Sequence, residues 1–242
     1  MTETTKLVES LRAHLAKLAD PAKAVGALRY FPPDQQHKLR LYGVGAVQVR
    51  AMARDAYAEV RAWPLAQRNQ LCLELWRSGM AEEGTLAVEL YRRFARQCGP
   101  REFRLFEKWL ERYVHNWAHC DGISMYLMRA VFANHPELAA ELPAWTASGN
   151  RWKRRAAAAS LVHEVRAHRQ LDAAFEVCHR LRADEDDMVR KGIGWLLKNA
   201  YLLNPKPTMA FLLNGQQPEF ARGVLRYAAE KMTAADRRRV LG

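Results

Sequence analysis

The sequence has 242 residues, of which 49% are hydrophobic and 26% are charged, a balance typical of soluble globular proteins and not of disordered chains. It carries 38 Lys and Arg against 26 Asp and Glu. The resulting net charge of +12 makes a polyanion such as nucleic acid the first partner to expect. The polar, amphipathic amino terminus and the lack of any apolar run near about 18 residues predict a cytoplasmic protein without a signal peptide or membrane span.

Apolar residues recur with helical spacing along almost the whole chain. The first predicted helix places four leucines on one face and is interrupted at Pro21. These leucines are Leu7, Leu11, Leu15 and Leu18. Proline and glycine pairs then separate helices of roughly 10 to 18 residues, the last break being Asn214-Gly215. No comparable run alternates with the period of a strand, so the sequence predicts an all-α protein.

Three similar landmarks recur at close to 40 residues, about the period of HEAT and armadillo repeats. They are NWAHCD from residue 116, NRWKRRAAA from residue 150 and MVRKGIGWLL from residue 188. This period predicts a superhelical stack of antiparallel helix pairs, a HEAT/ARM-like solenoid with a concave basic face, as one domain over residues 1–242. Equivalent positions in stacked repeats line up on one side. We therefore expect one concave strip to hold Trp117, Asp121, Arg155 and Trp195.

The pair Trp117 and Asp121 is the most informative local feature. On a helix, residues four apart lie one above the other, so an apolar ring and a carboxylate share one face. A buried carboxylate needs a partner, and an exposed tryptophan leaves a large apolar surface in contact with water, which is unfavourable. This combination indicates that the face meets another side chain or a ligand.

Basic residues cluster around two further tryptophans and predict a phosphate-binding surface. They are Arg151, Lys153, Arg154, Arg155, Arg190, Lys191 and Lys198. The alternative is that NRWKRR is a solvated first helical turn with Trp152 in the core. The acidic run DEDD at residues 184–187 precedes a predicted helix, where carboxylates favour the amino-terminal dipole, and we interpret it as a helix cap.

Cysteine and histidine spacings give no sign of a metal centre. The four cysteines lie far apart and fit neither a zinc clamp nor a dense disulfide framework, so we expect reduced, structural thiols. The histidines lack the spacing of zinc or iron ligands. The sequence therefore predicts no metal and no cofactor.

From about Trp109 to Asn204, the sequence resembles the DNA alkylation repair glycosylases built from HEAT-like repeats, of the AlkD type. The resemblance rests on Trp117-x-x-x-Asp121, NHPEL at 134–138, PAWTASGN at 143–150, RAAA from Arg155 and KGIGWLLK from Lys191. The segments ALRYF and LYGV near the amino terminus match the family pattern more weakly. The chain departs from the family pattern where Val47 replaces a frequent proline and Asn116 replaces a second tryptophan of some members, which leaves the substrate range open.

The resemblance implies a C-shaped stack whose concave face holds duplex DNA and releases cationic N3- or N7-alkylated purines. It places the active-site tryptophans at Trp117 and Trp195, the catalytic aspartate at Asp121, a DNA-contacting arginine at Arg155 and an aromatic residue near the lesion at Tyr30. The expected protein is a monomeric, monofunctional glycosylase acting on double-stranded DNA. Two alternatives stay open: a relative that binds branched or damaged DNA without excision, and a helical-repeat scaffold for other proteins.

Overall fold

The computed structural model describes residues 1–214 and 220–242 and is helical throughout most of them. Gly215 of the predicted Asn214-Gly215 break lies outside the described residues. The α-helices, in chain order, are α1 (Glu3–Lys17), α2 (Pro21–Ala27), α3 (Pro33–Gln36), α4 (Ala46–Val60), α5 (Leu65–Arg77), α6 (Ala81–Tyr91), α7 (Pro100–Arg112), α8 (Trp117–Gly122), α9 (Arg129–Asn134), α10 (Leu142–Trp145), α11 (Arg151–Ala159), α12 (Val162–Arg166), α13 (Leu171–Leu181), α14 (Asp187–Leu203), α15 (Pro205–Leu213), α16 (Arg222–Ala228) and α17 (Ala234–Leu241). The all-α prediction is confirmed.

Shorter helical turns complete the secondary structure. Four segments are 3₁₀-helical: Leu28–Tyr30, Arg92–Gln97, Pro136–Glu141 and Ala229–Lys231. The segment Ile123–Met128 is a π-helix, a rare conformation that is frequent at functional sites. The only β-type pairing among the described residues is an isolated bridge between Arg40 and Met80.

The chain forms two compact units. The first contains Met1–Gln97 and Arg112–Gly122, and the second contains Cys98–Glu111 and Ile123–Gly242. Trp117 and Asp121 therefore belong to the first unit, and Arg155 and Trp195 belong to the second. The single domain over residues 1–242 stays a prediction.

In the first unit, α1 packs against α5, and both α4 and α5 pack against α6. Leu7, Leu11 and Leu15 of α1 are buried, as their spacing predicts. Leu18 follows the last residue of α1 as its C-cap and is 38% exposed, so the apolar pattern extends one residue beyond the helix. Pro21 occupies the first position of α2, where proline is favoured because its missing N–H would have no helical partner.

The loop before α4 is fastened by one buried carboxylate. Glu82 accepts hydrogen bonds from the backbone N–H groups of Tyr42 (3.1 Å), Gly43 (2.7 Å) and Val44 (3.1 Å). Gly43 has a φ of +83°, and a Cβ there would lie 2.1 Å from the carbonyl oxygen of Asp20. Only glycine fits this conformation and this close approach, which explains the sequence YGV at the turn.

In the second unit, α14 packs against α11, α12 and α16. The alanine run Ala156–Ala159 of α11 is fully buried, and these small side chains permit a close approach. On another face of α14, a Cβ at Gly194 would lie 2.8 Å from the Cβ of Tyr227. The centre of α14, which carries Trp195, is therefore fixed on several sides.

The predicted cap at the acidic run is confirmed. The Asp186 side chain accepts hydrogen bonds from the backbone N–H groups of Met188 (2.8 Å) and Val189 (3.3 Å), so it N-caps α14. The same carboxylate pairs with Arg151 at 2.8 Å. Asp187, one residue later, is exposed and pairs with Lys191 at 2.8 Å.

We expect Asp186→Ala to lower the free energy of unfolding by about 0.5–2 kcal/mol, because two helix N–H groups lose their acceptor. Chemical denaturation measures this change. Asp187→Ala is the matched control, since it removes a neighbouring carboxylate that pairs with Lys191 on the surface, where ion pairs contribute little. Equal stability of the two variants would contradict the capping role.

Three further features bear on the sequence-based expectations. The four cysteines are buried, and burial raises the pKa of the Cys72 thiol to about 12. In the described ranges, no cluster of three His, Cys, Asp or Glu residues could hold a metal ion. None of the helices in those ranges has the length and apolar character needed to cross a membrane.

Candidate active site

The short helix α8 carries both Trp117 and Asp121, so their predicted placement on one helix face is confirmed. Both residues are partly buried. Asn116 precedes the helix, and its Oδ1 accepts a hydrogen bond from the backbone N–H of His119 at 2.9 Å. This is the geometry of an N-cap, which defines where α8 begins and thereby orients Trp117 and Asp121.

A buried histidine fastens α8 to α6. Nε2 of His119 lies 2.8 Å from the carbonyl oxygen of Ala81, and Nδ1 lies 3.1 Å from Nδ2 of Asn116. A carbonyl only accepts, so Nε2 carries the proton and Nδ1 accepts from the asparagine amide. Burial lowers the pKa of His119 to about 4, which keeps the ring neutral and preserves this tautomer near neutral pH.

The approach of α6 to α8 depends on Gly84. A Cβ at Gly84 would lie 2.6 Å from Cζ3 of Trp76 and 2.7 Å from Cε1 of His119. The ring of Trp76 meets the ring of His119 edge-on, with centroids 4.9 Å apart. Two aromatic rings thus occupy the space that any side chain at Gly84 would need.

The segment from Tyr30 to Gln35 holds Trp117 from outside α8. The indole Nε1–H of Trp117 donates to the carbonyl oxygen of Tyr30 (3.1 Å), and its backbone N–H donates to Oε1 of the buried Gln35 (3.2 Å). The ring of Phe31 lies against the indole, with centroids 5.7 Å apart. Because the indole N–H is already bonded, Trp117 offers a ligand its π surface and ring edges.

Tyr30 is thereby brought next to Trp117, although through its backbone carbonyl. Its side chain is 62% exposed. The guanidinium of Arg29 stands 4.8 Å from the centre of the Tyr30 ring and donates to the tyrosine hydroxyl at 2.8 Å. An aromatic ring and a cation are therefore held together at Tyr30, whose carbonyl binds the Trp117 indole.

A cavity of about 290 Å³ adjoins this part of the first unit. Its wall includes Phe31, Val44, Glu82, Asn116 and His119. Glu82, Asn116 and His119 already make the internal hydrogen bonds described above. The surface that lines the cavity is therefore mainly apolar.

The basic run at residues 151–155 is neutralised within the second unit to a degree that the sequence did not predict. Arg154 Nε lies 2.6 Å from Asp184, and Lys153 Nζ lies 2.8 Å from Glu107 and 2.7 Å from Glu111. Burial alone would lower the pKa of Lys153, but the hydrogen bonds and charges of the two glutamates raise it. These cations brace α11 against neighbouring segments.

Trp152 is buried. This agrees with the alternative interpretation of the run NRWKRR, which placed Trp152 in the core. Arg155 is only 6% exposed, and its Nη1 donates to the carbonyl oxygen of Met188 at 2.6 Å. The guanidinium therefore connects α11 to the first turn of α14. A contact between Arg155 and a DNA phosphate stays a prediction.

The predicted site residues on α14 differ in burial and in their hydrogen-bond and ion-pair partners. Trp195 is partly buried, and its carbonyl accepts from the Asn199 amide at 2.8 Å. Lys198 pairs with Glu230 at 3.0 Å and lies over the ring of Tyr227. Arg190 Nε donates to the carbonyl oxygen of Asp184 at 2.7 Å, and Lys191 forms the exposed pair with Asp187 described above.

The structure thus brings Tyr30, Trp117 and Asp121 to one part of the first unit. The common strip with Arg155 and Trp195 stays a prediction, because those residues belong to the second unit. Sequence reasoning missed the groups that fix α8, namely Phe31, Gln35, Gly84, Asn116 and His119. Asn116 alone carried a signal, since asparagine directly before a helix is a frequent cap.

Residues 11–232 match the protein family described as DNA alkylation repair enzyme. Because this match spans most of the sequence, the chain belongs to the DNA alkylation repair enzyme family. The resemblance inferred from its motifs is confirmed.

Two solved structures share the fold. A "Predicted DNA alkylation repair enzyme from Enterococcus faecalis" is 17% identical with a TM-score of 0.79, over 89% of this chain and 97% of that one. AlkD2 from Streptococcus mutans is 17% identical with a TM-score of 0.60, over 79% of this chain and 92% of that one. No curated protein matches the sequence. These likenesses confirm the predicted all-α fold class, and the concave basic face stays a prediction.

Proposed function

We propose that this protein is a monofunctional DNA glycosylase that hydrolyses the N-glycosidic bond of cationic N3- or N7-alkylated purines in duplex DNA. Membership of the DNA alkylation repair enzyme family supports the reaction class. The observation that carries the proposal is the arrangement on α8, where Trp117 and Asp121 share one face and Asn116 and His119 fix the helix.

The chemistry of the lesion explains why these residue types suffice. An N3- or N7-alkylated purine already carries positive charge, so it leaves with the electron pair of the glycosidic bond and becomes neutral without a general acid. The deoxyribose is left with oxocarbenium character. The Asp121 carboxylate stabilises this charge and orients the water that attacks C1′, and the proton released by that water passes to the carboxylate or to solvent.

Tryptophan faces attract cations by about 0.5–2 kcal/mol, more strongly when water is excluded. Trp117 suits this role because the Tyr30 carbonyl already engages its N–H and Phe31 supports its ring. In our proposal, Trp195 flanks the same cationic nucleotide and Arg155 contacts the backbone. The protein acts as a monomer on double-stranded DNA in the cytoplasm.

The assignment as monofunctional rests on the charge and the ion pairs of two lysines near the proposed site residues, Lys153 and Lys191. Cleavage of the strand at the abasic site through a Schiff base needs a neutral amine. Lys153 is held between two glutamates that raise its pKa, and Lys191 pairs with Asp187. The raised pKa keeps Lys153 an ammonium ion, and both side chains are engaged in ion pairs suited to electrostatic contacts.

The proposal is tested with duplex DNA that contains one N7-methylguanine. We expect the protein to generate abasic sites that break only after heat or alkali, with no strand breaks before that treatment. Breaks without treatment would contradict the monofunctional assignment. Tight binding of branched DNA with no abasic sites on N7-methyl or bulkier purine adducts would instead favour a binding protein without excision.

A further inference from the structure

The cations that sequence reasoning assigned to DNA are largely committed to protein partners, which raises the question of where the positive charge is available. Arg151, Lys153 and Arg154 pair with carboxylates of the second unit, and Arg155 is buried. A cation already paired with a carboxylate gains less from a phosphate, because the existing pair must be broken or shared. Phosphate contacts are thus better made by cations without such partners.

Two cations of this kind, Arg29 and Lys38, lie in or next to the segment that holds Trp117 in the first unit. Across residues 1–214 and 220–242, no carboxylate forms an ion pair with Arg29 or Lys38, and both side chains are exposed. Arg29 adjoins Tyr30, whose carbonyl holds the Trp117 indole. Lys38 follows α3, whose Gln35 holds the Trp117 backbone. Burial and, after it, the Lys38 charge lower the pKa of the neighbouring His115.

We propose that Arg29 and Lys38 bind backbone phosphates of DNA next to Trp117. This assignment rests on the proposed function, since it supposes that Trp117 faces the damaged nucleotide. The ligand class is the phosphodiester of a nucleic acid. Asp34 is the one carboxylate in the sequence from Arg29 to Lys38, so this segment keeps a net positive charge.

Arg29 is preordered for such a contact. Its guanidinium stands over the Tyr30 ring and uses one N–H for the tyrosine hydroxyl. A guanidinium has five N–H donors in a rigid plane, so four stay available for phosphate oxygens, and stacking on an aromatic ring reduces the ordering cost of the side chain. The exposed Tyr30 ring thereby acquires a second role as the support of a phosphate-binding arginine.

The test compares the salt dependence of binding to a short, unmodified DNA duplex for three proteins. They are the wild type, the double variant Arg29→Gln with Lys38→Gln, and the control Lys6→Gln with Lys17→Gln. The control removes the same charge from two exposed lysines of α1. Each phosphate contact contributes about 0.9 to the slope of log affinity against log salt. We therefore expect the Arg29 and Lys38 variant to lose about 1.8 from this slope and the control to keep it.

The same proteins are then compared for base release from the N7-methylguanine duplex, where the Arg29 and Lys38 variant is expected to need more enzyme for half-maximal rate. An unchanged slope in that variant, or an equal loss in the control, would overturn this assignment while leaving the glycosylase proposal intact. If the wild type showed no salt-dependent binding at all, duplex DNA itself would be the wrong ligand.

Discussion

Replacing Asp121 with asparagine should lower the single-turnover rate of base release by about 100-fold or more. The amide keeps the size and shape of the carboxylate but carries no charge to stabilise the developing oxocarbenium ion. Trp117, Asn116 and His119 are left in place, so α8 should keep its structure. Single-turnover release of N7-methylguanine measures the effect.

Binding to DNA should survive this substitution, since removing a negative charge from the protein favours the binding of a polyanion. Asp55→Asn is the matched control, because Asp55 is an exposed carboxylate on α4 that pairs with the adjacent Arg54. It makes the same change in net charge and should release the base at the wild-type rate. If Asp121→Asn retained that rate, the proposed role of the carboxylate would be lost.

Replacing Gly84 with alanine should lower the free energy of unfolding by about 1–3 kcal/mol, the usual cost of adding a methyl group to a packed interior. The new Cβ would stand 2.6 Å from Trp76 and 2.7 Å from His119. Both rings are buried, so neither can swing into solvent. Relief requires α6 and α8 to separate, which strains the hydrogen bond from His119 to Ala81. Denaturation with urea measures the loss.

The control for this effect is Gly26→Ala. Gly26 lies in α2. Apart from its chain neighbours and its own helix backbone, no atom of the described residues lies within 4 Å of the position that its Cβ would take. Alanine is the better helix former by roughly 0.5–1 kcal/mol, so this variant should be as stable as the wild type or slightly more stable. A Gly84→Ala protein of equal stability would show that the space between α6 and α8 is not limiting.

The fold class was predictable because a helical fold shows its periodicity directly in the sequence. The leucines of α1 are spaced for one buried face, and the acidic run before α14 supplied its cap. The end of α1 was less predictable, since Leu18 continues the apolar pattern beyond the last helical residue. A side-chain pattern reports which face is buried, whereas hydrogen bonds decide where a helix stops.

In the candidate site, the residues with distinctive chemistry were predictable and those that orient them were not. Trp117 and Asp121 stand out by type and spacing. His119 and Gln35 act through long-range contacts, to the Ala81 carbonyl and to the Trp117 backbone, and no local pattern encodes such contacts. Gly84 matters only because two rings from other helices fill the space above it.

The basic run at 151–155 shows a further limit of sequence reasoning. Four cations in five residues indicate a phosphate surface when only the local sequence is considered. Their partners Asp184 and Asp186 lie some 30 residues later, and Glu107 lies earlier, so the neutralisation emerges only in the folded unit. Arg29 and Lys38, which lie outside this run, keep their charges accessible.

The central claim is that this protein accelerates hydrolysis of the glycosidic bond of an alkylated purine. The most direct measurement is the rate at which free N7-methylguanine leaves a defined duplex, with the protein in excess and with no protein, detected by chromatography. We predict release well above the spontaneous rate, with one abasic site formed for each base released. Release at the spontaneous rate from fully bound duplexes, with N7-methyl and bulkier purine adducts alike, would contradict the claim.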